Sequence, residues 1–239
     1  MNTSPGRFSS RSLFVVLLLL AACASPPTRE GVTSIQAHMY AHYDQAAEVH
    51  DALVRGQMDR ARRAALWLAT HEEPGMLPED SDRHVAAMNA FARRAAEAAD
   101  LGTAALATSH MGRVCGDCHR EHDVVPRFLV GTAPPEGTGP RAEMARHIWA
   151  SDRMWQGLIA PDDYAWTSGA KGLTLGWLNP GTVVADPADR ERLRALIQQV
   201  YDLARKAETT TDPEGRAELY GAFLVTCIDC HQLTEAIIR

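Results

Sequence analysis

The pattern C-x-x-C-H occurs twice in this chain, as Cys115-Gly116-Asp117-Cys118-His119 and, 112 residues later, as Cys227-Ile228-Asp229-Cys230-His231. Upstream of each copy a second set of matches recurs at a spacing of 105: Met39 with Met144, His42 with His147, Leu53 with Leu158, Ala65 with Ala170 and Leu68 with Leu173. The seven-residue difference predicts an insertion in the second copy, in the loop near Trp177. Such a chain is an internal repeat, and each copy ends on the same motif.

Each copy reads as four antiparallel helices, with no strand pattern of any length. The first copy has helices over about 33–55, closed by Gly56, and over 58–70. A third starts at a Ser81 cap and runs to about Asp100; after a break at Gly102 a fourth carries the motif to about His122. The second copy repeats this over 141–159, 161–173, 187–207 and 212–238, with Asp186 as cap and Pro187 at the first helical position. The Pro/Gly-rich run 131–140 joins them. The expected fold is all-α: two tandem four-helix bundles, residues 33–130 and 141–239, each with C-x-x-C-H on its last helix.

On a helix, positions i, i+3 and i+4 share a face, so each motif presents two thiols and an imidazole together. That is the requirement for covalent haem attachment, with two thioethers to the porphyrin and a histidine on the iron. The competing readings fit less well. A zinc ribbon places its two C-x-x-C pairs some 15–20 residues apart, a thioredoxin-type pair needs a βαβ setting, and disulfides leave both histidines unexplained. Two haem c groups are expected, held by Cys115, Cys118 and His119 and by Cys227, Cys230 and His231.

A motif on the last helix of a four-helix bundle resembles cytochrome c′ and its low-spin relatives. The resemblance covers about residues 33–125 and 140–239 and rests on motif placement and helix count. The chain departs from that family just past the motif, where an aromatic residue and then Arg often follow; here the runs are R-E-H-D and Q-L-T-E. The resemblance implies that the first helix of each half faces the haem. Two repeated pairs on that helix's inward seam are then candidates for the sixth iron ligand, His42/His147 and Met39/Met144, with an open site as the third alternative. His38, His50, His71, His84, His110 and His122 have no repeat counterpart and are expected mostly at the surface. Tyr40, Tyr43, Trp149, Trp155 and Trp166 are expected to pack the core or line haem pockets.

The N-terminus has the layout of an export signal over residues 1–22: Arg7 and Arg11, then the apolar run Leu13–Ala22, too short to span a bilayer of about 30 Å. Leu20-Ala21-Ala22-Cys23 resembles a bacterial lipobox, which implies a lipidated Cys23, a tether over 23–32 and a periplasm-facing protein; Ala24 points to the outer rather than the inner membrane. The alternative is ordinary cleavage with Cys23 incidental. Without residues 1–22, 22 basic residues face 30 acidic ones, a net −8, which excludes a nucleic-acid partner. No acid/base dyad, activated nucleophile or phosphate loop is present, so no enzyme is expected. The sequence therefore predicts a lipid-anchored di-haem cytochrome c passing single electrons between a donor and an acceptor protein. The alternative is an open iron that binds NO or CO or reacts with peroxide.

Overall fold

The computed structural model describes residues 34–71, 77–128, 131, 133–176 and 178–234; Cys23, the export signal and the tether lie outside these. Among the described residues there are eight α-helices and no strand: α1 (Ser34–Val54), α2 (Met58–Thr70), α3 (Asp82–Glu97), α4 (Leu101–Glu121), α5 (Pro140–Ile159), α6 (Asp163–Gly172), α7 (Pro187–Thr209) and α8 (Pro213–Leu233). The fold is all-α with four helices per half, and the two motifs end α4 and α8.

Local chemistry sets most helix ends. Asp100, Asp162, Asp186 and Asp212 each accept a bond from a first-turn N–H, and Pro140, Pro187 and Pro213 open their helices. α1 stops at Gly56, whose φ of +69° suits glycine. There the N–H groups of Gly56 and Gln57 turn back to the carbonyls of Leu53 and Ala52. Two expected boundaries move. Gly102 lies inside α4 rather than breaking the chain, because Asp100 caps one turn earlier. Ser81 makes no capping bond: its backbone is already helical, in a 3-10 turn over Glu79–Ser81.

Burial follows the repeat residue by residue. At a spacing of 105, buried Ala61, Ala64, Ala65 and Leu68 of α2 match buried Trp166, Gly169 and Ala170 of α6 and Leu173 at its C-cap. At 112, Met88, Ala92 and Ala95 of α3 match Val200, Ala204 and Ala207 of α7, and Thr108, Met111 and Val114 of α4 match Tyr220, Phe223 and Thr226 of α8. The insertion therefore falls between Leu173 and Val200, in the α6–α7 connection.

The halves share one core, and Thr33–Arg239 forms one compact unit. α4 packs on α8, where Gly221 leaves no room for a Cβ against Ser109 and Leu106. Ser109 and Gly221 are repeat equivalents, so a pseudo-twofold axis passes between them. His50 and Trp155 are equivalents too, and their rings stack at 5.8 Å beside the same axis. The Tyr220 hydroxyl lies 2.8 Å from Nε2 of His50 and 3.1 Å from Oγ of Ser151. Burial pushes the His50 imidazole down to about 4, so it is neutral there. His50, one of the histidines expected mostly at the surface, is instead held against Trp155 and Tyr220 of the other half.

Candidate functional site

The motif histidines are anchored identically. Nδ1 of His119 lies 2.8 Å from the carbonyl oxygen of Ile159, the last residue of α5. Nδ1 of His231 lies 2.8 Å from that of Val54, the last residue of α1. Val54 and Ile159 are themselves repeat equivalents. A helix C-terminus leaves its last carbonyls without intrahelical partners. At α1 the turn through Gly56 uses Ala52 and Leu53, and the next carbonyl, Val54, takes the imidazole. Each motif thus docks on the first helix of the opposite half.

This bond decides the tautomer. A carbonyl only accepts, so Nδ1 of each ring carries a proton, and in the neutral ring Nε2 then keeps the lone pair. That is the state in which a histidine binds a metal, and the carbonyl fixes the ring plane as well. Burial lowers the basicity of His119, which also favours the neutral ring.

The four motif thiols are free of disulfides. Burial, then the neighbouring Cys118, pushes the Cys115 thiol up to about 12; burial, then Asp229, pushes Cys230 to about 11. Cys118 and Cys227 are raised chiefly by burial as well. None is a thiolate at neutral pH, so nothing here resembles a dithiol redox centre. The arrangement is two thiols and one metal-ready imidazole on a single helical face, built twice.

The surroundings of the two motifs differ. In the second half Met144 and Cys230 pack on one apolar cluster, Leu178, Leu193 and Ile197. His147 is largely buried and pushed down to about 4, first by burial; among the charges acting on it is His231. Met144, His147, Cys230 and His231 therefore gather among α5, α7 and α8. In the first half the position of Leu193 is taken by Ser81, which bonds the Cys118 thiol, with Arg83 and Glu121 nearby. The ring neighbours of His42 are not the motif but His38 at 4.2 Å, His71 at 5.4 Å and the edge of Trp67 at 5.3 Å. The ligand nitrogens of His38, His42 and His71 all lie within 4.8 Å of one another.

The histidines without a repeat counterpart are not a surface set. His38 is buried, His84 bonds Glu121, His122 bonds Ser81 and His110 stacks on Phe91. Sequence reasoning set His38 and His71 aside, although His38 and His42 stand one helical turn apart, a spacing that puts two imidazoles on one face. Of the five aromatics, Trp149, Trp155 and Trp166 are core residues. Trp149 donates to the Gly131 carbonyl at 2.7 Å, Tyr43 packs on Phe128 and Tyr40 is half exposed. Comparison with family models, with curated proteins and with solved structures finds no match. The functional reading rests on the residues themselves.

Proposed function

We propose that this protein is an exported di-haem c-type cytochrome that carries single electrons between redox partner proteins. The observation that supports this best is the paired anchoring of His119 and His231, each with Nδ1 on a helix-terminal carbonyl and Nε2 left for iron. Cys115, Cys118 and His119 would hold one haem, and Cys227, Cys230 and His231 the other. Attachment adds each S–H across a vinyl group: the sulfur bonds one carbon and the hydrogen goes to the other, with no net oxidation. A bound haem supplies a one-electron iron couple. The chain's part is to orient the two imidazoles and strengthen their donation through the carbonyl bonds.

For the sixth position in the second half we assign His147, with Met144 as its rival; both stand beside the second motif. In the first half His42 turns toward two other histidines, and this favours a second reading there: an open iron able to take NO or CO or to react with peroxide. Acylation of Cys23 would tether the protein to a membrane, the outer one by the resemblance at Ala24. No helix among the described residues is long and apolar enough to cross a bilayer.

Intact mass of the purified protein tests the proposal. The polypeptide from Cys23 should carry two haem masses plus acyl chains, and its denatured band should stain for haem. Cys118→Ser and Cys230→Ser should each weaken attachment of one haem only. A denatured chain with no haem stain refutes the assignment.

A further inference from the structure

We infer that His38, His42 and His71 form a binding site for one divalent transition-metal ion of the zinc or copper kind, outside both C-x-x-C-H motifs. His38 and His42 come from successive turns of α1, and His71 closes the C-terminus of α2. Their rings lie 4.2, 5.4 and 5.6 Å apart by centroid, and one ligand nitrogen from each falls within 4.8 Å of the other two. Metal–imidazole bonds of about 2.0–2.1 Å place tetrahedral nitrogens about 3.4 Å apart, a closing within reach of small side-chain rotations.

Two further observations point to a ligand. Nε2 of His42 is shielded from solvent and has no hydrogen-bond partner, a loss that a metal bond would offset. Trp67 stacks on His71 at 3.9 Å with only 16° between planes, and its edge meets His42, so two of the three rings are held in orientation.

The internal repeat supplies a control. In the second half, at a spacing of 105, Glu143, His147 and Gly176 stand where His38, His42 and His71 stand, and Gly172 replaces Trp67. There Glu143 lies against Gly176 and pairs with Arg146, which bonds the Gly137 carbonyl at 2.9 Å. The same corner of the fold therefore closes with a single histidine, and packing alone does not call for three. Imidazole donors suit zinc and copper rather than magnesium or calcium, and three protein ligands leave a fourth position for water.

The test uses the mature, haem-loaded protein, stripped of loose metal with a chelator and titrated with Zn²⁺ by calorimetry. Metal is counted after equilibrium dialysis. One equivalent should bind, and His38→Ala and His71→Gly should each weaken binding at least tenfold while leaving haem absorbance unchanged. His71→Gly copies the residue at the equivalent place, so it should keep the helical circular dichroism. A Cu²⁺-loaded sample should show hyperfine structure from three nitrogens by EPR. No stoichiometric Zn²⁺, undiminished binding by the His71→Gly variant, or fewer than three nitrogens on copper overturns the inference. The haem reading is judged separately by haem mass, so the two fail independently.

Discussion

Gly116→Ala should destabilise the protein by about 3 kcal/mol or more and strip haem from the first motif. Gly116 is the first intervening residue of that motif, and a Cβ there would overlap the backbone carbonyl oxygen of Leu158, one residue before the acceptor of His119. An overlap with a flexible side chain is relieved by rotation. One with the backbone of a packed helix is relieved only by moving α4 away from α5. That movement pulls His119 off the Ile159 carbonyl and frees its ring to change tautomer and orientation. The second motif provides the control, because Ile228 occupies the equivalent place with a full side chain buried in the core. Ile228→Val should cost only about 0.5–1.5 kcal/mol. Urea denaturation of both variants, with haem content measured in parallel, checks the pair. An unchanged midpoint for Gly116→Ala would mean that α4 and α5 do not meet at Leu158.

The helices and the repeat were legible because they follow from local and periodic signals: Asp caps, prolines at first helical positions and buried pairs at two fixed spacings. The C-x-x-C-H geometry was legible for the same reason, since i, i+3 and i+4 share a face whatever the tertiary structure. What was not legible depends on which helices meet. Gly112, Gly116 and Gly221 stand in helices because a tryptophan ring, a carbonyl and a serine lie against them, and those contacts cross between halves. Periodicity within one half cannot show that the last helix of each copy docks on the first helix of the other. Histidine burial was hidden likewise. Imidazole is at home both in water and in a core, and the partners of His50, Ser151 and Tyr220, lie 101 and 170 residues away. Ser81 was misplaced by a local rule. Serine before a helix signals a cap, but here the chain is already helical and the hydroxyl serves His122 and Cys118.

His147→Ala should convert one of two haems from low to high spin, whereas His42→Ala should leave both unchanged. The two residues are repeat equivalents, and the sequence treats them alike. Their neighbours do not. His147 is largely buried within the electrostatic reach of His231, and Met144 on the same helix packs, like Cys230, on Leu178, Leu193 and Ile197. On the proposed reading this imidazole would hold the second iron together with His231, and an imidazole pair gives a low-spin haem of lower potential than a His/Met pair. His42 instead shares its surroundings with His38, His71 and Trp67, and no haem ligand role is needed to explain its burial. Optical and EPR spectra of the wild type should therefore show one low-spin and one high-spin haem, and CO should shift only the high-spin one. Met144→Ala should alter the potential of the low-spin haem through packing, without a change of spin. A spin change in the Met144 variant but not in His147→Ala would make that haem His/Met. A spin change on losing His42 would instead place this residue on the first iron, and with it would fall both the open first site and the three-histidine metal site, since one imidazole nitrogen cannot serve both.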